Sequence, residues 1–90
     1  MVVGRPFTVV LADRPGSGHL WDCRALPGGV RLADTAYAAG VADAVGAWRD
    51  KEFHLVADRA GTFTVTFELR RPWEAAPVEE QVVEVRATPA

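Results

Sequence analysis

Two short stretches hold most of the side chains able to do chemistry or recognition: "RPGSGH" at 14–19 and "RPWE" at 71–74. Ser17 and His19 lie two apart, a spacing that on an extended chain puts a hydroxyl and a base on one side. A nucleophile pair of this kind needs a third group to orient the base, and none is evident. Gly16-Ser17-Gly18 is not a nucleophile elbow, which requires G-x-S-x-G between a strand and a helix. His19, Cys23 and His54 lack zinc-ligand spacing. Glu79 and Glu80 are neighbours and on a strand face opposite ways, a poor acid–base pair. Cys23 has no partner for an intrachain disulfide and reads as a small buried residue beside Trp21. These residues predict no enzyme, no metal and no cofactor.

Recognition is the stronger theme. Three segments stand out as loops: Arg14-Pro15-Gly16-Ser17-Gly18-His19, Gly46-Ala47-Trp48-Arg49 and Arg71-Pro72-Trp73-Glu74. Two of them join tryptophan to arginine, the residues most enriched at binding hot spots. The first is narrow and glycine-rich, so its backbone can approach a partner closely. The bland alternative is that Trp73 folds back over its own core and that Trp48 plugs it, with Pro72 merely ending a strand. Trp21, inside an alternating segment, reads as core.

The elements that must position these loops repeat with a period of two. Residues 6–13 set Phe7, Val9 and Leu11 against Thr8 and Val10; 18–25 set Trp21, Cys23 and Ala25 against Asp22 and Arg24. Residues 29–34 form a short piece after Pro27-Gly28-Gly29. Residues 51–58 place Phe53, Leu55 and Ala57 on one side; 61–70 place Phe63, Val65, Phe67 and Leu69 inward; 79–88 place Val83, Val85 and Ala87 on one face. One-sided alternation marks antiparallel strands with one dry face. Asp58 to Gly61 reads as a tight hairpin turn. Residues 34–50 read as an extended piece near 35–38, then a long loop, because Gly40 and Gly46 weaken a helix. The expectation is an all-β, antiparallel sandwich or barrel of about seven strands, a single domain over 1–90 with its ordered core at about 5–87 and a frayed end from Thr88.

Ninety residues suit one domain, and an apolar fraction of 49% supports a core. A net charge of −2 with scattered arginines argues against nucleic acid as a partner. No apolar run approaches the roughly 20 residues of a membrane helix, so no membrane partner is expected. Arg5 and Pro6 interrupt any signal-peptide core, which leaves the compartment open. No self-association surface is visible, so a monomer is expected.

These motifs and their order resemble the chagasin-like inhibitors of papain-type cysteine peptidases, known by N-P-T-T-G-[YF] followed shortly by tryptophan, then G-x-G-G, then R-P-[WF]. "RPGSGHLW" (14–21) overlies the first: Pro15, Gly18 and Trp21 match, Ser17 stands for the second threonine, and Arg14, Gly16 and His19 depart. "GAWR" (46–49) overlies the second at Gly46 alone, with Trp48 and Arg49 in place of the later glycines. "RPWE" (71–74) matches the third in full, and the resemblance spans about Phe7 to Arg86. It implies an immunoglobulin-like sandwich whose three loops enter a papain-like peptidase cleft. Pro15, Ser17 and Gly18 would fill the catalytic centre uncut. Gly46 would mark one flanking loop, and Arg71, Pro72 and Trp73 the other. An imidazole at position 19, in place of an aromatic ring, would make binding pH-sensitive. The competing expectation is a diverged interaction module that kept the scaffold and lost inhibitory activity.

Overall fold

The computed structural model describes residues 1–14, 17–37 and 49–90. Six strands are described: β1 (Phe7–Asp13), β2 (Leu20–Ala25), β3 (Val30–Tyr37), β4 (Arg49–Ala57), β5 (Gly61–Arg70) and β6 (Glu79–Ala87). They form two three-stranded sheets, β1-β4-β3 and β2-β5-β6, with every pairing antiparallel. The sheets stack as a sandwich of the immunoglobulin-like kind.

The alternation read from the sequence decides which faces meet. Phe53, Leu55 and Ala57 of β4 and Phe63, Val65, Phe67 and Leu69 of β5 are buried, joined by Trp21, Val30, Val85 and Ala87. Phe53 and Phe67 face each other across the sheets, their ring centroids 4.8 Å apart in a tilted arrangement. Each sheet therefore contributes its central strand as the main wall of one dry layer, and edge strands contribute fewer buried residues.

One expectation is met in a refined form and two need correction. The extended piece near 35–38 is strand as far as the described residues go: β3 continues to Tyr37 across a bulge between Leu32 and Asp34, and the described residues hold six strands, close to the expected seven. The extra residue is absorbed locally, and pairing with β4 resumes. The turn at 58–60 is not a hairpin, because β4 and β5 belong to different sheets; it arches between them. Gly61 does take a positive φ of 147° there. Thr88 is fastened rather than frayed: its N–H and Oγ1 both donate to the Met1 carbonyl, and its own carbonyl accepts from Val3 N–H. The two chain ends thus close against each other beside β6.

One buried side chain knots the sheets together near the loops. Asp13, the last residue of β1, has no exposed surface. Its Oδ1 accepts from the backbone N–H of Trp21 at 2.7 Å, and its Oδ2 accepts from the Tyr37 hydroxyl at 2.9 Å. Trp21 also donates from its indole Nε1 to the Ala12 carbonyl at 3.0 Å. Asp13 thereby links β1, β2 and β3 at one end of the sandwich. Burial and the bond to Asp13 push the Tyr37 phenol above its ordinary range.

Candidate functional site

Strand register places the recognition segments at that same end. Asp13 pairs with Arg49, Tyr37 with Lys51, and Leu20 with Arg70. The connection leaving β1, the strand ends flanking 38–48, and the connection leaving β5 therefore emerge together. Topology alone achieves this, since each strand reverses direction relative to its partner.

The first loop is closed on itself. Arg14 and His19 form an isolated antiparallel bridge, with Arg14 N–H donating to the His19 carbonyl and His19 N–H to the Arg14 carbonyl. The same Arg14 carbonyl accepts from Ser17 N–H and lies 3.1 Å from Ser17 Oγ. Ser17 Oγ stands 2.7 Å from His19 Nδ1. The predicted hydroxyl–imidazole pair is thus real, and it is part of a loop that grips itself. Gly18 takes φ +78°, a conformation that favours glycine. The Arg14 guanidinium reaches Glu79 at the start of β6, at 3.5 Å.

The third loop is a hydrogen-bonded turn. Glu74 N–H donates to the Arg71 carbonyl at 3.0 Å, and the Glu74 carboxylate reaches back to accept from Arg71 N–H at 3.2 Å. Pro72 and Trp73 occupy the two central positions, where proline presets φ. Trp73 is 76% exposed, so it is not a lid on its own core. Gly18 and Arg71 are its described neighbours: a side chain grown from Gly18 would meet the indole at 3.7 Å, and the Arg71 guanidinium stands 6.0 Å from the ring centre.

The two loops are joined. Arg71 Nε donates to the Ser17 carbonyl at 2.8 Å, a charge-assisted bond across 54 residues of sequence. Glu74 adds a second approach, its Oε1 lying 3.7 Å from His19 Nε2. From the sequence Glu74 was read only as the last residue of the third loop and Glu79 only as half of a poor acid–base pair, and neither was expected to reach the first loop. The signal for Glu74 was available in the R-x-x-E spacing, which lets a carboxylate reach the N–H three residues earlier, as in a helix capping box.

Of the other predicted residues, Arg49 is not in a loop but opens β4, its guanidinium 4.7 Å from the centre of the exposed Tyr37 ring. Pro15, Gly16, Gly46, Ala47 and Trp48 lie outside the described residues. Beside the third loop, a shallow cleft of about 320 Å³ is lined by Leu20, Trp21, Asp22, Lys51, Arg70 and Pro72. Lys51 spends its ammonium on the Trp21 carbonyl, and Arg70 bonds the Glu74 carbonyl, so the cleft wall braces the turn. Cys23 is half-buried, and burial followed by the nearby Asp22 charge pushes its thiol above the ordinary range, which disfavours the reactive thiolate.

Among the described residues, the sandwich presents two bonded loops and an outward tryptophan at a single end, an arrangement suited to binding on loops with stability supplied elsewhere. The family model described as chagasin family peptidase inhibitor I42 matches residues 1–86, and the chain belongs to that family. Among solved structures, the fold is similar to that of the cysteine protease inhibitor EhICP2 from Entamoeba histolytica, with a TM-score of 0.75 and 23% identity, over 92% of this chain and 78% of that one. It is also similar to amebosin in solution, with a TM-score of 0.71 and 17% identity, over 100% of this chain and 85% of the other. At such identities the likeness is one of fold. No curated protein matches the chain significantly.

Proposed function

We propose that this protein is a reversible inhibitor of papain-like cysteine peptidases that occludes the active-site cleft with the loops at one end of its sandwich. In this reading Arg14, Pro15, Gly16, Ser17, Gly18 and His19 meet the catalytic centre. Arg71, Pro72 and Trp73 rest on one cleft wall, and Gly46, Ala47, Trp48 and Arg49 on the other. Family membership supplies the class of partner, and the EhICP2 likeness is consistent with a cysteine peptidase.

The observation that carries the reading is the exposed Trp73 on its braced turn. The indole has most of its surface left for a partner to cover, and it is preorganised by the turn, Pro72 and Arg71. The first loop suits an uncut ligand for a related reason. Its ends are bridged and its middle is bonded back to Arg14, so a scissile bond placed there would be held against the distortion that cleavage needs.

The test is a titration of papain activity on a small fluorogenic peptide at pH 6. Saturable loss of activity with the protein recovered intact supports the reading. Full activity at micromolar excess removes papain-like enzymes as targets, and progressive cleavage of the first loop removes the occlusion mechanism.

A further inference from the structure

The end of the sandwich that carries the loops also carries a stacked pair that belongs to neither bonded loop. Tyr37 closes β3 and Arg49 opens β4. Strand register sets both near Asp13, which pairs with Arg49, while Tyr37 pairs with Lys51. The Tyr37 ring is 43% exposed, yet its tip is fixed, because its hydroxyl donates to the buried Asp13 carboxylate at 2.9 Å. The guanidinium carbon of Arg49 stands over that ring, 4.7 Å from its centre.

The charges around this pair leave a cation over. Asp13 has no exposed surface, and its two oxygens are engaged by the Trp21 N–H and the Tyr37 hydroxyl. Lys51, two residues on and on the same face of β4 as Arg49, gives its ammonium to the Trp21 carbonyl. Asp50 lies between them and faces the other way. The Arg49 guanidinium itself makes no hydrogen bond or ion pair among the described residues. Contact with a ring uses the face of a guanidinium and leaves its N–H edge open to acceptors. A ring pinned at its tip also limits the orientations that Arg49 samples, so less freedom is lost when that edge meets a partner.

We infer that Tyr37 and Arg49 form a carboxylate-binding subsite of the binding edge. Arg49 donates from its fork to an aspartate or glutamate side chain of the peptidase, and Tyr37 is the positioning residue that holds the fork in place. The pair stands on the β1-β4-β3 sheet, Trp73 stands on the turn leaving the β2-β5-β6 sheet, and the first loop joins the two sheets. A partner is thus met by charge on one side of that loop and by an indole on the other. Arg49 also stands where the second motif of the family carries glycine, so the subsite belongs to this chain and not to the motif. The inference rests on the reading of this end as the peptidase-binding edge.

Two measurements test it. On the free protein, the Arg49 Nε–H resonance is followed by NMR as sodium acetate replaces sodium chloride at constant ionic strength. A progressive shift is expected in wild type and in Tyr37→Phe, which keeps the ring, and about half that shift or less in Tyr37→Leu. Against papain, Arg49→Gln should weaken the inhibition constant about fivefold at about 0.05 M salt and about twofold or less at about 0.5 M, where the ion pair is screened. Arg49→Lys, which keeps the charge without the fork, should recover only part of the loss. An Arg49 resonance that ignores acetate, or equal inhibition by Arg49→Gln and wild type, overturns the subsite and leaves the proposed function standing. Absence of inhibition by the wild type overturns the proposed function instead, and the acetate response then decides the subsite.

Discussion

Replacing Trp73 with alanine separates recognition from folding at one residue. The side chain is 76% exposed. A tryptophan offers roughly 250 Å² of side-chain surface, so about 190 Å² is free for a partner to cover. At about 25 cal/mol per Å², complete burial would contribute about 4–5 kcal/mol as a ceiling. Alanine retains part of that area and a cleft wall covers one side of the ring, so about half is expected to be lost, close to 2 kcal/mol or a 30-fold weaker inhibition constant. The roughly 60 Å² already covered, in part against Gly18 and Arg71, limits the folding cost to about 1.5 kcal/mol, a melting shift of about 6–12 °C for a domain this small. The assay pairs thermal unfolding by circular dichroism with papain inhibition on the same preparations. A melting point lower by more than about 12 °C would show that Trp73 supports the core. An unchanged inhibition constant in a normally folded variant would show that the partner never touches it. Either result refutes the anchor argument.

Asp13→Ala strands the buried Trp21 N–H and the Tyr37 hydroxyl, and should cost about 2–4 kcal/mol, read as a melting point at least 8 °C lower; a change within 3 °C would mean that water replaces the carboxylate. At Gly18, with φ +78°, stability should fall in the order glycine, asparagine, valine, with about 1–2 kcal/mol separating the first from the last in chemical unfolding. His54 lies between Glu52 and Asp34, with Nε2 to Glu52 Oε1 at 3.0 Å, and these bonds, Glu52's first, raise its pKa above the ordinary imidazole value. A raised folded-state pKa means that its contribution is fully present below about pH 6.5 and is lost as pH rises through the folded midpoint. The His54→Gln variant should therefore lose less stability than wild type between pH 6.5 and 8, and Glu52→Gln should lower the His54 midpoint seen by NMR; an unmoved midpoint would rule out the Glu52 contact.

Much of the fold was legible because burial on one sheet face imposes a period of two. Phe63, Val65, Phe67 and Leu69 declare β5 without further help, and Trp21 declares its own burial by sitting in phase with Cys23. Sheet membership was not legible in this way. Nothing in "VADRAG" tells whether the chain turns back to pair with itself or arches to the opposite sheet, since both need a tight reversal and a glycine. Likewise, a bulge at Ala33 and a new strand at 35–38 leave the same broken alternation in the sequence.

At the site, residue types pointed to the loops, and spacing to the R-P-W turn, because local conformation depends on nearby residues. Partnership between distant residues depends on how the sheets stack. Arg71 and Ser17, or His19 and Glu74, are more than fifty residues apart, and only the shared end of the sandwich brings them together. Asp13 makes the same point from inside: in sequence it merely closes the 6–13 segment, and in the fold it is the buried acceptor that ties β1, β2 and β3 below the loops. The sequence by itself determined the strands, their dry faces and the residue types carried at the turns. The tertiary structure alone decided which turns meet and which charges face each other, because those pairings follow from strand order and register, and side-chain alternation is indifferent to both.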